Sequence, residues 1–219
     1  MQYIQAIVLG DSNVGKTCLA ERFAGREFSH QPKTIGVDMT TRTMDNIHVK
    51  LWDASGQDRF LSLAEYHIRR VDAVIIVFDI SNKKSFENVT LWLDRVKQMV
   101  SRQVSIYLVG NKCDMARAVP YENAELLSAT LNTHYIETSC LEDINIDHLF
   151  DTIIQNIMNG EDLTRALMSP MSRQETMRTT HKEQTWLDTI FYVCTCQNSK
   201  PVYMEREPLI ALVDNHEMM

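Results

Sequence analysis

Eight residues near the start of the chain, Gly10-Asp11-Ser12-Asn13-Val14-Gly15-Lys16-Thr17, fit the pattern G-x-x-x-x-G-K-[ST]. The chemistry this spacing offers is phosphate binding. Small residues let successive backbone N–H groups turn inward around a β-phosphate, and a following helix adds its positive N-terminal end. Lys16 supplies a point charge to the β- and γ-phosphates, and the Thr17 hydroxyl is a hard oxygen ligand suited to Mg²⁺. Taken alone the loop denotes a nucleoside triphosphate, and a kinase or an ATPase fits it equally well. A second group, Asn111-Lys112-Cys113-Asp114, addresses the base. A carboxylate there accepts two hydrogen bonds only from a base with adjacent N–H donors, as guanine has at N1 and N2. Adenine would leave Asp114 buried and unpaired, a mismatch worth roughly 10⁴-fold in selectivity.

These residues need elements to hold them. Ile4–Leu9 is an apolar run ending in Gly10, and similar runs recur at Ala73–Phe78, Val104–Val109 and His134–Ile136. Each has the look of a strand buried on both faces. Between them, Phe86, Val89, Leu93, Val96 and Val100 repeat at helical spacing, as do Ile146, Leu149, Phe150, Ile153, Ile154 and Ile157 after Asn145, an expected N-cap. Val37–Met44 and Ile47–Trp52 flank Asp45-Asn46, a two-residue turn signal, and predict an antiparallel hairpin at a sheet edge. Strands alternating with helices give an α/β fold in three layers: a mostly parallel, six-stranded sheet with one antiparallel edge hairpin and helices on both faces. The loop then lies between a strand and a helix, as its motif requires, and Asn111–Asp114 lies at the carboxyl edge where open sheets bind ligands.

At 219 residues, 44% of them apolar, the chain holds one domain of ordinary size plus an extension. A formal net charge of −7 argues against a nucleic-acid partner, which needs a clustered positive face. Cys18, Cys113, Cys140, Cys194 and Cys196 show no framework spacing and, without a signal peptide, are expected as reduced thiols. Periodicity fades after Met158, so a domain over 1–158 and an irregular, polar, Met-rich extension over 159–219 are expected, with Trp186–Cys194 its one apolar stretch.

The sequence resembles the small GTPases of the P-loop NTPase class, most closely the Rab branch, through Gly10–Thr17, Thr34–Asp38, Trp52–Phe60, Asn111–Asp114 and Glu137–Cys140, in the family's order. The resemblance implies a GTP hydrolase that switches between GTP and GDP states in vesicle trafficking or related signalling, slowly unless an arginine is supplied in trans. It implies nucleotide contacts from Ser12, Asn13, Val14, Gly15, Lys16, Thr17 and Cys18, with Phe28 stacked on the guanine and Gly56 offering its N–H to the γ-phosphate. Asn111, Lys112, Asp114, Ser139, Cys140 and Leu141 would hold the base. Mg²⁺ would be held by Thr17, by Thr34 when the γ-phosphate is present, and by Asp53 through a water. Gln57 would orient the attacking water, with Lys16 stabilising developing charge. Effectors, an exchange factor and a GTPase-activating protein would use residues 28–40 and 53–70.

Departures from the family pattern concern partners more than nucleotide. Phe28 and Thr34 stand six residues apart, one fewer than the Rab-like spacing, and Thr34–Asp53 is about four residues short. Met39 and His67 stand where aromatic residues are usual, and Trp52 is as well suited to hairpin core as to partner contact. Ser55 replaces an alanine before Gly56, and its hydroxyl is expected to crowd the phosphate and slow hydrolysis. Asn13 replaces a glycine, and Leu141 a lysine whose stem would cover the base. The chain ends His216-Glu217-Met218-Met219 without a prenylation motif. Residues 159–219 carry six Lys/Arg against nine Asp/Glu, which disfavours an anionic leaflet. Membrane attachment is therefore doubtful, and the expected location is cytoplasmic, with peripheral membrane contact through partners.

Overall fold

The structure is a computed structural model that describes residues 2–29, 34–56, 61–100 and 104–160. Six strands form one sheet: β1 (Gln2–Leu9), β2 (Val37–Met44), β3 (Ile47–Ala54), β4 (Ala73–Asp79), β5 (Ser105–Asn111) and β6 (His134–Thr138), in the spatial order β2-β3-β1-β4-β5-β6. All neighbours run parallel except β2 and β3, whose hairpin forms the edge. Asp45 and Asn46 turn it with φ of 47° and 64°, the double left-handed geometry of a type I′ turn that Asp and Asn tolerate. Met44 thereby pairs with Ile47, as the sequence predicts.

Every residue of β4 and β5 is buried, because helices cover both faces of the sheet. Alternate strand residues divide between two cores. Ile7, Leu9, Val74, Ile76, Phe78, Ile106 and Leu108 pack with α2 (Leu61–Ile68), α3 (Lys83–Glu87), α4 (Val89–Met99) and α5 (Tyr121–Leu131). On the other face Val8, Leu51, Ile75, Val77 and Val109 pack with α1 (Lys16–Phe23) and α6 (Ile146–Asn159). The sheet is thus the middle of three layers. Among the described residues no helix is long and apolar enough to cross a membrane.

Two local expectations need correction. The apolar stripe from Phe86 to Val100 is two helices, α3 and α4, meeting at Asn88. Periodicity alone carries no sign of the break, because Phe86, Val89, Leu93 and Val96 are all buried as one face. Asn145 stands at the N-cap of α6 but does not cap it; its backbone is left-handed and its side-chain amide donates to the Glu137 carbonyl at 2.8 Å. Helix α6 ends at Asn159 with left-handed Gly160 as its C-cap, a common helix stop. The segment 161–219, with Cys194 and Cys196, lies outside the described residues.

Candidate functional site

The carboxyl ends of β1, β3, β5 and β6 open onto one cleft of about 610 Å³, a size typical of a small-ligand site. Gly10–Thr17 leaves the end of β1 and enters α1. Two glycines in it are obligatory. Gly10 has φ 141° and a Cβ there would lie 2.2 Å from the Val77 carbonyl oxygen; Gly15 has φ 99° and its Cβ would strike the Asn111 side chain at 2.2 Å. Asn13 takes up the left-handed backbone of its position, φ 69°.

Lys16 is buried, and its Nζ donates to the Asp11 carbonyl at 2.6 Å. Burial brings its pKa down to about 8, against the pull of Asp53 and Asp11. Beside it three oxygen-bearing side chains from separate segments meet. Thr17 Oγ1 donates to Asp53 Oδ2 at 2.6 Å and lies 2.7 Å from Thr34 Oγ1, whose own bond to Asp53 Oδ2 is 3.3 Å. The second carboxylate oxygen, Asp53 Oδ1, is buried and receives no hydrogen bond. Burial pushes the Asp53 carboxyl above its usual range, although Thr17, Lys16 and Thr34 favour the charged form. A buried acid with an orphaned oxygen and two adjacent hydroxyls is a hard-oxygen donor set, so these residues fit Mg²⁺. Gly56 is packed on the loop: a Cβ there would lie 2.5 Å from Ser12 N and 2.6 Å from Lys16 Nζ. Ser12 Oγ donates to the Gly56 carbonyl at 3.2 Å.

At the other end, the base motif clamps the phosphate loop. Asn111 Nδ2 donates to the Val14 carbonyl at 2.8 Å and Lys112 Nζ to the Asn13 carbonyl at 2.9 Å. Lys112 Nζ also pairs with Asp79 at 2.6 Å. Asn111 Oδ1 accepts from Thr138 Oγ1 and from the Cys140 thiol. The Ser139 hydroxyl donates to Asp114 and accepts from the Glu142 N–H at 3.1 Å. Arg22, from α1, reaches across to donate to the carbonyls of Cys140 at 2.7 Å and Leu141 at 2.9 Å. Burial pushes the Cys140 thiol up to about 12 and raises Cys18 and Cys113 as well, so all three are protonated at neutral pH.

Of the residues singled out from sequence, Ser12, Asn13, Gly15, Lys16, Thr17, Cys18, Phe28, Thr34, Gly56, Asn111, Lys112, Asp114, Cys140 and Leu141 line the cleft. Val14 does not; its apolar side chain is buried in the core beneath α1, and only its backbone belongs to the loop. Ser139 stands behind Asp114, fully buried. Gln57 lies outside the described residues. Trp52 packs at the rim of the core, with the His67 ring tilted against its own at a centroid distance of 3.9 Å and an interplanar angle of 38°. Sequence reasoning missed Met115 in the lining, Asp79 behind Lys112, and Arg22. Asp79 stands at the carboxyl end of a recognised apolar run, so the argument that found Asp114 could have found it. No local pattern marks Arg22.

A family model described as the Ras family matches residues 5–159. The chain is 38% identical to Ras-related protein Rab-13 of Rattus norvegicus over 159 residues, 69% of this chain and 78% of that protein. It is 38% identical to Ras-related protein RABA4d of Arabidopsis thaliana over 160 residues, 70% of this chain and 72% of that one. Against GTP-binding protein ypt2 of Schizosaccharomyces pombe the identity is 35% over 161 residues, 70% of this chain and 80% of that one. The matched span contains every residue that lines the cleft, from Ser12 to Leu141. With the six-stranded sheet, the phosphate loop and these relatives in agreement, the chain belongs to the Ras family of small GTPases, on its Rab branch, and binds GTP and GDP and hydrolyses GTP as a molecular switch.

Proposed function

We propose that the switch works through the oxygen cluster of Thr17, Thr34 and Asp53, which holds Mg²⁺ beside the phosphates. The convergence of these side chains around the buried, unbonded Asp53 Oδ1 is the observation that carries this reading. Held there by Thr17, Thr34 and Asp53, Mg²⁺ would supply positive charge that offsets the negative charge of the phosphates. Thr17 contributes from the start of α1, whereas Thr34 belongs to a separate segment and would ligate the metal only when the γ-phosphate is present. Gly56 offers its N–H to the same phosphate, and Gln57 orients the water that attacks the γ-phosphorus in line. Lys16 and the loop amides of residues 12–18 stabilise the negative charge spread over the phosphate oxygens. Asp114 reads the guanine N1 and N2 donors. Phe28 and Leu141 cover its faces, while Asn111, Lys112, Ser139 and Cys140 brace the loops that hold it.

Loss of the γ-phosphate removes what Thr34 and Gly56 share, and the segments around them relax. Partners then distinguish two surfaces within residues 28–40 and 53–70: effectors take the GTP form, an exchange factor opens the site, and an activating protein supplies the missing arginine. The GTPase domain spans 1–158, and 159–219 is an appended tail. The protein acts in vesicle trafficking from the cytoplasm, reaching membranes through its partners.

The test is the nucleotide that accompanies the purified protein. Denatured protein prepared with Mg²⁺ should release GDP or GTP in near-equimolar amount, and chelation should accelerate its loss. Release of adenine nucleotide, or of none, would remove the guanine assignment; indifference to chelation would remove the metal cluster.

A further inference from the structure

Asp11, the second residue of the phosphate loop, spends its side chain on the far side of the loop from the cleft. One carboxylate oxygen accepts from Trp92 Nε1 at 2.8 Å and the other from Asn88 Nδ2 at 2.7 Å. Trp92 is buried in α4, where an indole N–H needs a partner. Asn88 sits at the junction of α3 and α4 and makes no capping bond to α4 with its side chain; it reaches Asp11 instead. Hydrogen bonds to an ionised acceptor are about twice as strong as neutral ones, so this is a firm tether between residues 77 and 81 positions apart.

The backbone of the same residue carries the functional groups. The Asp11 carbonyl receives Lys16 Nζ at 2.6 Å. Gly56 is packed on the Asp11–Ser12 peptide so closely that a Cβ on it would lie 2.6 Å from the Asp11 carbonyl carbon. The lysine and the switch glycine therefore both rest on one peptide, and that peptide is located by bonds to the α3–α4 junction. We propose that Asp11 is a positioning residue, whose carboxylate, pinned by Trp92 and Asn88, sets where Lys16 and Gly56 meet the terminal phosphate. GDP, which lacks that phosphate, depends on the rest of the loop and on the base site. The tether therefore discriminates GTP from GDP rather than strengthening both. It also makes α4 a lever on the γ-phosphate end of the cleft.

The proposal rests on the nucleotide reading of the cleft. Trp92→Phe deletes the indole donor and keeps an aromatic ring; Asn88→Ala deletes the other donor at a half-buried position. Affinities for GDP and for a non-hydrolysable GTP analogue, single-turnover hydrolysis and the melting temperature of the GDP form would be measured for the full chain and each variant. Each variant should lower the GTP-to-GDP affinity ratio and the single-turnover rate by about tenfold, the value of one hydrogen bond to a charged group. GDP affinity should stay within about twofold. In an Asp11→Ala background the same substitutions should add nothing further, because the bonds they remove are already gone. Should Trp92→Phe fail to fold, Asn88→Ala carries the same expectation alone. An unchanged ratio, or equal losses for both nucleotides in step with melting temperature, would reduce the tether to packing and overturn the proposal. Wild-type protein that binds neither nucleotide would instead defeat the nucleotide reading itself.

Discussion

The two ends of the cleft are built differently. At the base end the protein bonds to itself: Asn111 spans Val14 and Thr138, Ser139 joins Asp114, and Arg22 ties down Cys140 and Leu141. Ser139 and Ile144 exchange backbone hydrogen bonds in both directions, closing the loop between them. The phosphate end is assembled from side chains on three segments, and the acid at its centre keeps a buried oxygen without a partner. One end is a finished mould and the other a junction. On the proposed function, groups at the mould would contribute equally to GDP and GTP complexes, which is uniform binding, and groups at the junction would separate the two.

The severest test of the mould is Asp114→Asn. An amide in place of the carboxylate presents a donor to one guanine N–H and leaves the Ser139 hydroxyl facing a different partner. GTP and GDP affinity should fall together by roughly 10³- to 10⁴-fold, with xanthine nucleotides preferred. Competition between guanine and xanthine nucleotides measures this; unchanged guanine selectivity would break the comparison at its base end.

At the junction, Asp53→Asn should act selectively. Substituting a group that holds a metal through water costs about 10- to 100-fold in metal affinity. Mg²⁺-dependent retention of GTP should weaken by that factor, while GDP retention measured in chelator changes little. The same substitution removes a buried charge whose pKa is raised by burial, so the nucleotide-free protein should melt no lower than wild type. A loss shared equally by GTP and GDP, independent of Mg²⁺, would erase the distinction between the two ends.

Both ends were only partly legible in the sequence. The phosphate loop could be found because its chemistry is local: small residues, a lysine and a hydroxyl packed into eight positions after an apolar strand. The hairpin turn could be found because Asp45 and Asn46 must both adopt positive φ. What escaped was held by long-range side-chain bonds. Asn88 breaks a stripe that looks like one helix, and its partner is Asp11, on the other side of the sequence. Arg22 is an unremarkable basic residue on α1 until β6 delivers Cys140 beside it. Asn145 looked like a cap because Asn favours that position, yet the chain turns left-handed there and the amide serves Glu137. Periodicity reports which face is buried; it does not report which polar group will be waiting on the far side.

Arg22→Ala sharpens the comparison at moderate size. It deletes two hydrogen bonds that fix the carbonyls beside the base, from a guanidinium to neutral acceptors. The loop 139–145 loosens, and dissociation of GDP and GTP should accelerate together by about tenfold. Stopped-flow release of a fluorescent guanine nucleotide reads both. Acceleration confined to GTP would place Arg22 on the wrong side of the division.

The smallest effect lies one layer further back. Glu137, the residue before the end of β6, sits between Arg117, which donates to both carboxylate oxygens at 2.7 Å, and the Tyr135 hydroxyl at 2.6 Å, while its own carbonyl receives Asn145 from the base loop. Burial alone would raise the Glu137 carboxyl, but the Arg117 and Tyr135 hydrogen bonds outweigh it and hold its pKa below the ordinary value of 4.5. A carboxyl whose folded pKa is depressed binds fewer protons in the native state than in the unfolded one. Its contribution is therefore complete above about pH 4.5 and is lost as the pH falls through the lower folded value. Glu137→Gln should cost on the order of 1 kcal/mol at neutral pH, because the pair is partly exposed, and progressively less below pH 4.5. Melting of the GDP form against pH should show the wild-type and variant curves converging in acid. The GTP-to-GDP ratio at neutral pH should not move, since Glu137 supports only the mould; a shift in that ratio would mean that the base loop, too, responds to the terminal phosphate.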